Sequence, residues 1–275
     1  MWRHIGVSGI VPDDSHEMNS PQWLDRLHAR AQQAPAAPRE ALLLGRAECG
    51  SIDVTLAERL SAAGLPLQRG AHGWLLQGDA ETSLAAIARW LHANDAASRW
   101  RDELMPVTDA QGALRAVIER CAVRPLGITT FAVHLVGWTS TGAVWVQQRA
   151  LDKATDPGQW DTLMGGLASA RETTVQTLER ETWEEAGLRV GELNDVAAMG
   201  RITVRRPVPD GYMVEHIDMF EACVPDGLVP LNQDGEVQGF DCIDAPALVA
   251  RLQADEFTLE ASLILAHWLA CRGFR

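Results

Sequence analysis

Three glutamates, Glu181, Glu184 and Glu185, stand at i, i+3 and i+4 in the stretch from Arg180 to Leu188. On an α-helix this spacing puts them on one side, aimed at one region of space. Like charges placed this way repel, at a cost of roughly a few tenths of a kcal/mol per i,i+4 pair. A hard divalent cation reverses that sign. Mg2+ takes carboxylate oxygens in octahedral geometry and carries substrate phosphates on its free positions, and Mn2+ accepts the same kind of ligand. Arg180 lies i,i+4 from Glu184 and can hold that carboxylate from behind.

A helix must carry these acids. Nothing between Thr173 and Ala186 interrupts one, and Gly187 stops it as a glycine just past a helix end does. Val175, Leu178 and Ala186 form the neighbouring apolar stripe expected to seat it on a core. Gly165 and Gly166 break the chain ahead of it, and Glu172 follows Gly166 after five intervening residues. The segment 150–164 reads as a loop that delivers the chain to this glycine pair. Before it, 129–138 alternates in polarity and 142–148 follows the turn Thr139 to Gly142, which makes a hairpin. After it, 200–208 and 212–224 read as strands, and 244–253 and 259–271 as helices, the second strongly apolar.

The first hundred residues show no motif. Trp23, Leu24, Leu27 and Ala31 space a helix over 22–33, which the run from Ala34 to Pro38 ends. Strand 41–44, helix 55–63 closed by Gly64, strand 73–77 and amphipathic helix 81–93 suggest a small α/β module with its own core. An extended segment over 100–107 then leads into a predicted helix over 110–121. The expected division is residues 1–108 as an accessory α/β domain and residues 109–275 as the domain that holds the acids.

The pattern Gly166, Glu172, Arg180-Glu181, Glu184-Glu185, Gly187-Leu188 resembles the Nudix box. It departs at one position, where Thr182 replaces a bulky aliphatic residue, a change that touches packing more than chemistry. The resemblance implies a Nudix α/β/α sandwich with a mixed sheet, an α/β (α+β) fold, preceded here by the small α/β module. It also implies a Mg2+-dependent diphosphate hydrolase whose metal ligands are the Gly166 carbonyl, Glu181, Glu184 and Glu185. Glu172 and Arg180 would then orient those ligands.

Composition is compatible with this. The chain has 275 residues, 47% apolar and 22% charged, which leaves ample core material. A net charge of −13 argues against binding nucleic acid or anionic lipid, and means that local cations and metal must attract an anionic substrate. The five cysteines are scattered with no C-x-x-C, which favours thiols in a reducing compartment over disulfides or a zinc site. The apolar run at the N-terminus is too short for a signal peptide, and no 18-residue apolar span occurs. A cytoplasmic enzyme is the expectation.

Further residues have open roles. Asp234-Gly235-Glu236 is either a polar turn opening a strand or the source of another carboxylate; the resemblance favours Glu236 as a metal ligand or as the base that deprotonates water, shared with Glu181 as candidate. Arg149 and Lys153 are either solvated cations or phosphate holders. His134 alternates with apolar neighbours and reads as a structural sheet histidine. Trp160 and Trp183 carry rings able to stack on a flat heterocycle, with Trp160 taken as the substrate-binding candidate, although ten tryptophans make core packing a strong competitor.

A narrower resemblance rests on Trp100-Arg101, Glu103-Leu104, Pro106-Val107, Ile118 to Arg120, Gly127-Ile128, Val133 to Leu135, Arg149, Lys153, Pro157-Gly158, Asp161, Gly165-Gly166 and Asp234 to Val237. Together these are similar to a Nudix subfamily with an extra N-terminal domain, also found fused to thiamine pyrophosphokinase. It implies removal of phosphate from thiamine diphosphate or its oxidised forms. Trp160-Asp161-Thr162 stands where that subfamily has Leu-Asp-Asn. Rival readings with the same acids are a diphosphatase of a nucleoside derivative such as ADP-ribose, an isomerase on the same fold, and a sensor without turnover. The N-terminal module is expected to cover the organic side of the cleft or to form a homodimer contact.

Overall fold

The computed structural model describes residues 22–274; the N-terminal stretch read above for a signal peptide lies outside them. In chain order the elements are α1 (Gln22–Ala31), β1 (Arg39–Leu44), β2 (Ala47–Asp53), α2 (Val54–Ala62), β3 (Leu67–Gly70), β4 (Gly73–Leu76) and α3 (Ala80–Ala93). They continue with β5 (Leu104–Thr108), β6 (Leu114–Glu119), β7 (Thr129–Trp138), β8 (Val144–Arg149), β9 (Trp160–Asp161), β10 (Met164–Leu167) and α4 (Thr174–Ala186). The last are β11 (Asn194–Val208), β12 (Gly211–Cys223), β13 (Val237–Ile243), α5 (Ala245–Gln253) and α6 (Leu259–Cys271).

The first sheet runs β2-β1-β4-β3, with β1 and β4 parallel. Its core packs Leu42, Ile52, Leu60, Leu84, Ile87 and Leu91 together with Met105, Ile118, Leu126 and Ile128. The expected boundary after residue 108 falls inside the β5–β6 hairpin, and both of its strands feed this first core. The opposite holds for α1: Leu27 and Ala31 pack into the core around α6.

The second sheet runs β11-β12-β7-β8-β13, with β10 paired to β7 and β9 to β8. β7 and β12 are parallel while their other partners are antiparallel, so the sheet is mixed. Alternation along β7 feeds both faces. Ala132 and Val136 join the core under α5 and α6, whereas Val133 and Leu135 join the core under α4. This is a helix–sheet–helix sandwich, with a separate α/β region before it.

Sequence patterning misplaces three features. Residues 110–121 are not a helix: a turn leads into strand β6, and a 3-10 turn, Arg120–Ala122, follows. The Asp109 carboxylate accepts from the backbone N–H of Gln111 (3.0 Å) and Ala113 (2.9 Å) and from Arg115 Nε (2.7 Å). Such side-chain capture of backbone donors competes with helix formation. The expected loop 150–164 contains β9, whose Asp161 pairs with Gln147. Val175 does not seat α4; it is exposed, and the buried residues are Thr177, Leu178, Thr182, Glu185 and Ala186.

Candidate active site

Both ends of α4 are fixed locally. Thr173 Oγ1 accepts from Gln176 N–H while the Gln176 side chain accepts from Thr173 N–H, a reciprocal cap. At the far end Gly187 takes φ 63°, a left-handed conformation in which its N–H donates to the Trp183 carbonyl at 2.9 Å. Glu181, Glu184 and Glu185 thereby face one cleft of about 490 Å3, together with Glu172, Arg180, Gly165, Gly166, Arg149, Lys153 and Glu236.

Gly165 and Gly166 lie on β10, where successive side-chain positions point to opposite faces. A Cβ on Gly166 would overlap the Glu181 carboxyl group, and one on Gly165 would overlap the His134 imidazole. The glycine pair thus leaves room for an acid from α4 on one side and a ring from β7 on the other.

The four box carboxylates are treated differently. Arg180 is the hub. Its Nε and Nη2 donate to Glu172 at 2.6 and 2.8 Å, and Nη1 donates to Glu181 at 2.7 Å and Glu184 at 2.9 Å. Nη2 also reaches the Leu167 carbonyl at 3.2 Å. Those bonds hold the Glu172 carboxyl down to about 2 and raise the Arg180 pKa further above its ordinary value. Glu181 is pushed upward because burial outweighs the pull of Arg180. Glu185 is 2% exposed and among the described residues has no cation bonded to it; burial first, then the Glu181 charge, pushes it up to about 7. Its Oε2 accepts from Gly165 N–H at 2.9 Å and Gln147 Nε2 at 2.7 Å.

The outer residues divide. Lys153 and Glu236 form an ion pair across the cleft mouth. Burial lowers the Lys153 pKa against the raising effect of Glu185. Arg149 lines the cleft but is partly committed: its guanidinium donates to the Thr155 carbonyl at 3.0 Å and to Asp161 Oδ2 at 3.4 Å. Trp160 is a correction. It does not line the cleft; its ring packs against the α5–α6 core and lies under the Arg251 guanidinium, 4.0 Å from the centroid. The pairing of β9 with β8 sets it there.

Sequence reasoning missed several lining or supporting residues. Gln147 is 1% exposed and bonded to Glu185; a polar residue on an otherwise alternating apolar strand was the available signal. His134, read as structural, faces the cleft. Arg120, Arg124, Arg206 and Glu215 line both this cleft and a second recess of about 710 Å3. That recess is walled by Leu56, Arg59, 95–98 and Arg101 from the N-terminal region and by Met213 to Glu215 of β12. No sequence pattern links those segments.

The donor set suits a hard dication: carboxylates and a backbone carbonyl, with buried Glu185 and half-buried Glu181, whose ionisation desolvation opposes. Among the described residues no three His, Cys, Asp or Glu side chains converge closely enough to hold a metal ion, and Arg180 bonds both Glu181 and Glu184. All five cysteines are free, and among the described residues no helix is long and apolar enough to cross a membrane.

Known proteins are similar to this arrangement. The NUDIX domain model matches residues 129–262. Nudix hydrolase 20, chloroplastic, of Arabidopsis thaliana is 27% identical over 179 residues, 63% of this chain and 48% of its own length. Nudix hydrolase 24, chloroplastic, of the same plant is 27% identical over 178 residues, 63% of this chain and 49% of its own. The chain thus spans about half the length of these curated relatives. The crystal structure of DR0079 from Deinococcus radiodurans has a TM-score of 0.50 at 19% identity, covering 60% of this chain and 99% of that one, which is a likeness of fold. With its acid-bearing helix, glycine pair and mixed sheet, the span 129–262 of this chain is a Nudix domain.

Proposed function

We propose that the protein is a metal-dependent hydrolase of a diphosphate attached to a small organic group, with thiamine diphosphate or its oxidised forms as substrate. The observation that carries the hydrolase reading is a cleft in which buried Glu185 and half-buried Glu181 lie beside Arg149, Lys153 and Arg180. The motifs outside the box support the thiamine assignment. The recess beyond Arg120, Arg124 and Arg206 supports a role for the N-terminal module in covering the organic group.

The residues that would hold Mg2+ or Mn2+ are Glu181, Glu184, Glu185 and the Gly166 carbonyl, with Glu236 from the β13 loop. When bound, such an ion lowers the pKa of water and neutralises charge on the phosphates. The protein's own groups do the rest. Gln147 and the Gly165 N–H fix the Glu185 carboxylate in one orientation. Glu172 holds Arg180, which in turn positions Glu181 and Glu184. Lys153 and Arg149 supply positive charge for the diphosphate. Glu181 or Glu236 takes the proton of the attacking water; both are ion-paired, and burial raises the proton affinity of Glu181. Water adds to the terminal phosphorus, the bridging P–O bond breaks, and thiamine monophosphate and inorganic phosphate leave.

The test is phosphate release with Mg2+ from thiamine diphosphate, its oxidised derivatives, ADP-ribose and nucleoside triphosphates, repeated with Glu185→Gln. The expected result is preference for the thiamine compounds and loss of activity in the variant. Equal rates on all compounds would remove the thiamine assignment, and full activity of Glu185→Gln would remove the metal-ligand role.

A further inference from the structure

His134 is a histidine with one nitrogen already spoken for. It is 7% exposed on β7, and its ring lines the cleft beside Gly165. Nδ1 lies 2.9 Å from Thr162 Oγ1. The Thr162 hydroxyl has a single proton, which it donates to the Met164 carbonyl at 2.8 Å. Thr162 Oγ1 can therefore only accept from His134, so the ring proton sits on Nδ1. Asp161 Oδ1, 3.5 Å from Nδ1, favours the same tautomer. Nε2 is left with a lone pair. Among the described residues it has no hydrogen-bond donor, and it is not sealed in the core, since it opens on the cavity that the ring lines.

A lone pair of this kind repels phosphate oxygens and needs a partner that brings N–H or O–H. The acids whose charge acts on the ring are Asp161, at Nδ1, and Glu260, not the box glutamates. Gly166 faces Glu181, whereas the His134 ring lies against Gly165, the neighbouring position on β10; Ala132, Leu167, Met213 and Thr258 line the same cavity. Burial also lowers the imidazole pKa, which keeps the ring neutral and makes it a poor general base.

We infer that His134 is a specificity-determining residue, whose Nε2 accepts a hydrogen bond from an N–H donor on the organic group of the substrate. The aminopyrimidine of thiamine diphosphate offers such a donor, and to that extent the inference rests on the reaction proposed above. Thr162 and Asp161 act as positioning residues that fix the tautomer.

The experiment has two arms, both on the full chain. The first needs no substrate: nitrogen NMR of protein labelled with 15N-histidine, with His134 assigned by its absence from the spectrum of His134→Asn. The expected ring is protonated at Nδ1 and bare at Nε2. A ring protonated at Nε2 overturns the inference, whatever the substrate proves to be. In the second arm, kcat and KM are measured for thiamine diphosphate, ADP-ribose and ATP with wild type, His134→Asn and His134→Gln. Asn keeps an amide near Nδ1 and removes the acceptor; Gln brings an amide oxygen towards the position of Nε2. For the preferred compound, the loss of one hydrogen bond is expected to raise KM roughly tenfold in His134→Asn, with the effect in KM and not in kcat. His134→Gln is expected to restore most of it. A fall confined to kcat would make His134 a base and overturn the inference, as would unchanged kinetics. If the wild type cleaves none of the three compounds, the proposed reaction fails on its own account, and the NMR arm rules on His134.

Discussion

Glu185 is the most exacting place to test the site, because its environment makes a prediction about stability that is independent of substrate. The carboxyl is 2% exposed and pushed from its ordinary 4.5 up to about 7, by burial and then by the Glu181 charge. A carboxyl whose pKa is raised on folding is bound to its proton more tightly in the native state. Native stability is therefore greatest below about 4.5 and is lost as pH rises through about 7. At 1.36 kcal/mol per pH unit, the displacement corresponds to about 3 kcal/mol. Glu185→Gln removes the ionisation while its amide oxygen can still accept from Gly165 N–H and Gln147. Urea unfolding of metal-free protein between pH 4.5 and 8.5 should show the two proteins near parity at the acid end. At the alkaline end the variant should be more stable by about 3 kcal/mol. Saturating Mg2+ should then stabilise the wild type and leave the variant nearly unmoved. A wild type-to-variant difference that stays flat from pH 5 to 8 would refute the claim that this buried acid is strained without a cation.

Other outcomes follow from single contacts. Thr182 is fully buried and among the described residues its Oγ1 has no partner, so Thr182→Val should stabilise the protein by about 1 kcal/mol, read as a higher Tm. Gly166→Ala puts a methyl group into the Glu181 carboxyl, and isothermal titration should show Mg2+ affinity falling at least tenfold while the circular dichroism spectrum is retained. Arg180→Lys cannot bond Glu172, Glu181 and Glu184 together. Because Glu172 is held down to about 2, its contribution to stability is present above about 4.5 and is lost as pH falls toward 2; in the lysine variant acid unfolding should begin at higher pH.

The acid-bearing helix was legible because its signals are local: cap, glycine stop and carboxylate spacing all lie within a few turns. The strand pattern around it was legible where alternation was strong, as in β7. Residues 110–121 were not, because Ala113, Leu114, Ala116 and Glu119 are good helix formers and the competing Asp109 turn overrides propensity. The short strands β2, β3 and β9 are polar or glycine-bearing and gain their identity from partners far along the chain. The same limit hid Gln147 and the cleft-facing role of His134. Their meaning depends on Glu185, 38 residues beyond Gln147, and on Thr162, 28 residues beyond His134. Trp160 was misread because a ring beside a motif looks available until its neighbour Arg251, from a helix near the C-terminus, covers it.

The placement of α1 has a practical consequence for anyone trimming this chain. Leu27 and Ala31 are sunk beside α6, Arg30 reaches Asp255 at 2.9 Å, and the Tyr212 hydroxyl donates to the Gln33 carbonyl at 2.8 Å. The polypeptide therefore departs from the Nudix half after this helix and rejoins it at Thr129, so that the α/β region is a closed detour with both feet on the same ground. Cutting from the N-terminus would tear away a piece of the very body it was meant to spare. Excising the detour and bridging its two feet is the surgery that asks what the appended region contributes.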